Sequence, residues 1–500
     1  MKPMGTITKY YPFIDEESRM ILDSLMDESS NYYDFVQRLT ELVLEKQVSE
    51  NLVYIATGQC WYAQASDLRN AILDKYNSFE IIKPWRYYWD TPESYNSENS
   101  QAILQSLDSA MMPPKDNWIA VELLLSHALR LVELLLSDAF NLGATFLSKA
   151  NALIDQRTEL LCFKPLAYLV ESRMNYVEAK VAEAAALSRT AYELASENND
   201  AMYEFLSILS LADSIKHKNP RESLSLFEQA YRIAQSLEVP VLIGETFHAV
   251  GLAYETLGEY DLAISGQLEY LDKSHTIDDE IISVVLSRLY ASSGDGRQAL
   301  EWANRSLDDE EFYVGYLRKA RALIILNRLD EAEETLDIAR QKVLRAGHDY
   351  YLAEYYSVSG LLDMAKGELA NAMATLEQAY QILYPLERLA YLNETLIALA
   401  TVEVTMLQRQ SHGGTDAATG KWLSILENHA RTFDMPGIAM RAALLRSEVF
   451  KSEGHLQDAS ETLRHALELS DSLGVRTLRN RIEASMLEID RLMRDEGFEP

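Results

Sequence analysis

The sequence predicts an all-α solenoid, a chain of helix hairpins stacked one on the next. Three observations predict it. Apolar residues recur at i, i+3, i+4 and i+7 through long charged-and-apolar segments, the period of a helix with one buried stripe. Runs that alternate at period two, as strands require, are nearly absent. Small residues and glycines recur at steps of 33 to 40 residues, the length of one helix hairpin. At 500 residues the chain exceeds what one core organises, and an array solves this by letting each hairpin bury its apolar face on its neighbour.

The first 115 residues carry no repeat. Helices are expected near 15–28, 31–46, 49–58 and 64–76, followed by an aromatic segment, 85–95, and the polar run 96–100. Four of six tryptophans, Trp61, Trp85, Trp89 and Trp118, fall between 61 and 118. This makes 1–115 a separate helical N-terminal region whose aromatic segment packs it against its neighbour.

The array is expected over 116–472. Its anchors are small residues at the start of the second helix of each hairpin: Ala184, Ser223, Ala263, Ala299, Ala332 and Ala372, at steps of 39, 40, 36, 33 and 40. Ala459 repeats the position later. The clearest copy runs from Phe247 to Ala263. There Gly251 lets two helices approach, Tyr254 fills the space beside them, and Gly258 ends the first helix in a left-handed conformation. Ala263 faces Gly251, and Glu259 is expected on the exposed face. Between 384 and 433 the pattern loosens into a long helix, 387–408, a turn at 411–416 and a helix at 417–431. A capping helix, about 474–494, rich in Arg and Glu, supplies a polar end within 473–500.

The Gly–Tyr–Gly–Tyr–Ala run of 251–263 resembles the tetratricopeptide repeat (TPR), in a longer-period variant similar to the sensor arms of MalT-like regulators. The resemblance covers roughly 115–495. It implies a right-handed superhelical α-solenoid of TPR-like hairpins, with its concave face lined by the first helix of each hairpin. The lining positions carried over are Arg173, Tyr176, Phe205, Ile208, His248, Leu252, Arg288, Leu317, Arg321, Ile324 and Leu361, with Glu255 and Glu354 at matched positions. None is the Lys or Asn of a chaperone-tail clamp. The resemblance implies a non-enzymatic scaffold or adaptor that binds another protein through its groove. The alternative is a sensory or regulatory arm that binds a small ligand or effector protein.

Composition narrows the chemistry. The chain has 77 acidic and 46 basic residues, a net charge of −31, which repels nucleic acid. The same field would steer in a neutral-to-basic, amphipathic protein or peptide segment, held by apolar groove positions. Two cysteines, Cys60 and Cys162, are too few for a disulfide framework or a four-cysteine zinc site, and both are expected to be inert. The nine histidines form no i, i+4 pair. The stretch 414–422 has five residues between its glycines, and Trp422 stands where a phosphate loop needs a hydroxyl. No catalytic residues, metal or cofactor are therefore expected. The acidic runs 278–280 and 308–311 read as helix starts, and Glu331, Glu333 and Glu334 as a solvated helix face. The most apolar stretch, 121–147, is broken by Glu122, His127, Arg130, Glu133 and Asp138, so buried helices are expected rather than a membrane span. With no signal-like run at the start, the expected location is cytoplasmic.

Overall fold

The computed structural model describes residues 4–79, 82, 85, 117–133, 137–178, 180–273, 279–307, 314–346, 349–386, 389–410, 420–473 and 476–495. Regular structure among them is helical throughout. The N-terminal helices are α1 (Met4–Thr8), α2 (Glu16–Glu28), α3 (Tyr32–Glu45), α4 (Glu50–Tyr62) and α5 (Ser66–Lys75). Three of them start where a side chain can accept an orphan amide. Asp15 accepts from Ser18 at 2.7 Å, Asn31 from Asp34 at 2.8 Å and Ser49 from Leu52 at 3.3 Å. The aromatic segment falls mostly outside the described residues. Its Trp85 is fully buried, 5.6 Å from Trp61 and 6.1 Å from Tyr54 between ring centres.

Hairpins follow. They are α6 (Asn117–Glu133) with α7 (Ser137–Ile154), α8 (Lys164–Val177) with α9 (Val181–Glu197), and α10 (Ala201–Ile215) with α11 (Pro220–Leu237). Next come α12 (Pro240–Leu257) with α13 (Tyr260–Lys273), α14 (Asp279–Ser293) with α15 (Gly296–Arg305), and α16 (Val314–Ile325) with α17 (Leu329–Ala346). The last are α18 (Asp349–Ala365) with α19 (Leu369–Leu386), α20 (Leu389–Gln410) with α21 (Lys421–Thr432), and α22 (Pro436–Ser452) with α23 (Leu456–Leu473), capped by α24 (Arg476–Asp495).

The repeat register holds. All seven anchors, Ala184, Ser223, Ala263, Ala299, Ala332, Ala372 and Ala459, are fully buried. Five residues before five of them stands a left-handed residue: Gly258, Gly294, Asn327, Gly367 and Gly454. In each case the next amide bonds back to the carbonyl five residues earlier at 2.9 Å, closing the first helix. Twelve residues before six of the seven anchors the side chain is small or absent; Ser223, with Leu211, is the exception. Ser172 and Ser287 donate their hydroxyls to the carbonyls of Ala184 and Ala299 at 2.8 and 2.7 Å. At Gly251 an added Cβ would lie 3.2 Å from the Ala263 carbonyl oxygen and 2.5 Å from Gln267 Nε2. Gly266, not singled out in the sequence, shares this crossing, since its own Cβ would meet Gly251 Cα at 3.2 Å. One expectation fails: Glu259 is buried, paired with Arg221 at 3.2 Å. It follows the left-handed Gly258 and turns inward with the chain. Of the acidic runs, Asp278 and 308–311 lie outside the described residues, and Glu331 is exposed, paired with Arg328 at 2.5 Å.

The chain divides into two compact units, residues 1–216 with 225–246, and residues 217–224 with 247–500. The N-terminal unit has one continuous apolar core running from Ile7 to Leu242. Inside it lies a polar cluster. Tyr10 and Tyr62 donate to Glu122 Oε1 at 2.7 and 3.1 Å, and Tyr62 and Tyr203 hydroxyls lie 3.0 Å apart. Lys9 pairs with Asp200 at 3.0 Å, over the Tyr203 ring, and Thr6 donates to the same carboxylate at 2.8 Å. No helix among the described residues is long and apolar enough to cross a membrane.

Candidate ligand site

The C-terminal unit turns its first helices inward. One position on them recurs every 33 residues as Glu255, Arg288, Arg321 and Glu354, on α12, α14, α16 and α18. The helical register brings these side chains to one face. Arg288 pairs with Glu255 at 2.7 Å, and Arg318, one turn before Arg321, pairs with Glu354.

The same face is covered by the chain itself. Helix α20 lies across it. Glu394 receives Arg321 and the Ser292 hydroxyl. Arg288 sits 4.6 Å from the Tyr391 ring, and Arg318 donates to the Tyr391 hydroxyl at 3.4 Å. The Thr395 and Ser357 hydroxyls are 2.8 Å apart, and Asn393 donates to the Thr256 carbonyl at 2.8 Å. Helix α22 closes the far side. Arg441 donates to the carbonyls of Gly258 and Gly437 at 2.9 and 2.8 Å and stacks 4.3 Å from the Tyr260 ring. A side chain at Gly437 would collide with the Gly258 carbonyl, its Cβ only 2.3 Å away, so glycine is required at this crossing. The turn expected at 411–416 lies outside the described residues; the long helix expected there is α20, and its side chains meet four preceding hairpins.

Between these walls remains a cavity of about 190 Å³. Its apolar side is Val358, Leu361, Met364, Ile397 and Leu444; its polar side is Tyr260, Ser292, Arg321, Glu394, Arg441 and Arg481. Burial raises the Glu255 carboxyl despite Arg288 beside it. At Glu394 burial acts the same way but is outweighed by Arg321, Arg288 and the Ser292 hydroxyl, which hold it below the usual range. Burial lowers Arg441, and the like charge of Arg481 adds to this.

The residues carried over from the repeat resemblance divide three ways. Arg321 and Leu361 line the cavity, and Arg288 lies just behind it in its ion pair. Phe205, Ile208 and Leu317 are fully buried in cores, because successive first helices pack tightly enough to enclose those positions. Leu252 and Ile324 are half-buried against such cores, and His248 hydrogen-bonds Gln267 at 2.7 Å. Arg173 lies in the other unit, in a cleft of about 380 Å³, paired with Asp213 at 3.4 Å and 5.6 Å from the half-buried Tyr176 ring. The sequence reading missed Tyr391, Glu394, Arg441 and Arg481. The Glu–Arg–Arg–Glu series at a constant step was a legible signal for the first wall; nothing comparable marks the helices that close it. Both cysteines are raised by burial, Cys60 to about 11 and Cys162 to about 12. No cluster of three metal-ligating side chains occurs among the described residues.

No protein-family model and no curated protein matches the sequence. Solved structures similar in fold include the following three. A Rap protein complexed with Competence and Sporulation Factor is 13% identical, with a TM-score of 0.38 over 75% of this chain and 99% of that one. The ligand complex of phAimR is 15% identical, with a TM-score of 0.41 over 78% and 97%. The apo form of the quorum sensor NprR from B. thuringiensis is 12% identical, with a TM-score of 0.40 over 84% and 99%. Likeness at this level says nothing of what this chain binds.

Proposed function

We propose that this chain is a non-enzymatic TPR-like binding protein, a regulatory arm or adaptor, whose recognition site is the cavity of the C-terminal unit. The observation that supports this reading is the make-up of the walls. Residues from α13, α14, α16, α18, α20, α22 and α24 meet at one small space. A ligand there touches nearly every hairpin of the unit and shifts their packing together, which is what a regulatory arm needs. A neutral-to-basic amphipathic segment of another protein is the second reading. The net charge of −31 supports it, because such a field speeds the approach of a basic partner whatever surface receives it.

The test is affinity capture from the native host with wild-type protein and with Leu361→Trp, which fills the cavity. Mass spectrometry of small molecules and proteins follows. A species recovered with the wild type and lost with the variant is expected. Equal recovery by both would contradict the cavity as the site.

A further inference from the structure

Charge around the cavity does not balance. Arg321 is neutralised by Glu394, and Arg318 behind the wall by Glu354. Arg441 and Arg481 both line the space; Asp261 and Glu394 attract Arg441 from farther off, but among the described residues neither arginine is in an ion pair. Arg441 is buried; one of its nitrogens is held by two backbone carbonyls and its face by Tyr260. Carbonyls and a ring compensate a guanidinium only in part. Arg481 lies close enough to repel it. The chain as a whole is strongly acidic, so a buried arginine with an exposed one beside it at the mouth of the cavity, neither in an ion pair, marks a place for an anion.

Resting on the cavity as the recognition site, we propose that it holds a small apolar carboxylic acid, its carboxylate on Arg441 and Arg481 and its apolar body against Val358, Leu361, Ile397 and Leu444. The planar guanidinium matches a carboxylate with two parallel hydrogen bonds. The other wall is mainly apolar, with only the Ser357 and Thr401 hydroxyls among its side chains. Size sets the length of the body. A dry cavity of about 150 Å³ accepts benzene, so about 190 Å³ accommodates an apolar body of roughly eight heavy atoms, with the carboxylate at the exposed Arg481. Octanoate and 3-phenylpropionate have this size and chemistry.

The experiment is calorimetric titration of the full chain with octanoate and with 3-phenylpropionate, using 1-octanol and octylamine as matched controls. At least one carboxylate should bind, with the alcohol at least tenfold weaker and the amine weaker still. Arg481→Gln should weaken the carboxylate at least tenfold and leave the alcohol unchanged. Arg481 is exposed and makes no side-chain hydrogen bond or ion pair among the described residues, and its one electrostatic neighbour, Arg441, repels it, so this variant keeps its fold. Leu361→Trp should abolish binding of both. Alcohol and acid binding equally, or a carboxylate indifferent to Arg481→Gln, would overturn the proposal. So would the failure of both acids. If both acids fail while host capture still loses a species on Leu361→Trp, the carboxylate falls and the cavity as recognition site stands.

Discussion

The two units bury charge in opposite ways. In the N-terminal unit Lys9, Asp200, Glu122 and three tyrosines, Tyr10, Tyr62 and Tyr203, bond to one another inside the core. In the C-terminal unit Glu255, Arg288, Arg321 and Glu394 form a wall that opens onto a cavity and leaves two arginines over. A closed polar cluster fixes one packing arrangement, since any other leaves a buried group unpaired. A wall with excess charge is a place for something else. The difference teaches where to look for function: in a repeat array, polar groups that satisfy one another are architecture, and those that do not are a site.

The largest test cuts one pair in each unit. Asp200→Ala strands Lys9 in the core and should cost about 3–5 kcal/mol in urea denaturation. Glu394→Gln faces a cavity that admits water, so about 1–3 kcal/mol is expected. Equal losses would show that the two networks are equally dry and would erase the contrast.

Next is pH, where the units should respond with opposite sign. Burial holds the His429 imidazole down to about 4, so the native state favours its neutral form. Its contribution is present above the unfolded value of about 6.5 and is lost as pH falls toward about 4. On the order of 3 kcal/mol is at stake, and His429→Gln should flatten this acid limb. Glu122 behaves in reverse. Burial raises its carboxyl, against the pull of Lys9 and the tyrosine hydroxyls. Its contribution is full below about 4.3 and is lost as pH rises through the folded value, so wild type should lose ground to Glu122→Gln as pH increases. Stability curves of the two variants that bend the same way would break the contrast.

Smaller effects test the shared register. Gly251→Leu overpacks the crossing at Ala263 and Gln267 and should cost about 1–3 kcal/mol or more. Gly367→Ala meets no neighbour but must hold a φ of +83°, so about 1–2 kcal/mol is expected from the backbone alone. If Gly367→Ala proved the worse of the two, the close crossing would not be what fixes the hairpins.

Much of the fold was legible because a repeat states each rule several times. Anchors such as Ala263 and Ala372, and turns such as Gly258 and Asn327, recur with the same duties. The N-terminal helices were legible from their apolar period, and three of them begin at the caps Asp15, Asn31 and Ser49. Glu259 was misjudged because its partner, Arg221, is distant in sequence and nothing local marks an inward turn. The site was half legible. Its first wall follows the repeat period through Glu255, Arg288, Arg321 and Glu354. Its second wall depends on α20 and α22 returning onto that face, an outcome of how tightly the unit winds, and so Glu394, Arg441 and Arg481 carried no local signal. The same tight winding buried Leu317.

That return is the central claim, and one crosslink tests it. Ser357 on α18 and Thr395 on α20 have hydroxyls 2.8 Å apart. The double variant Ser357→Cys, Thr395→Cys should form an intrachain disulfide under mild oxidant in the folded protein. The natural thiols should not compete, since burial raises Cys60 to about 11 and Cys162 to about 12. Non-reducing electrophoresis and peptide mapping should show the 357–395 link forming in buffer and not in concentrated urea. A folded variant whose two new thiols stay reduced would mean that α20 does not cover the concave face, and the cavity with its unbalanced arginines would not exist as described.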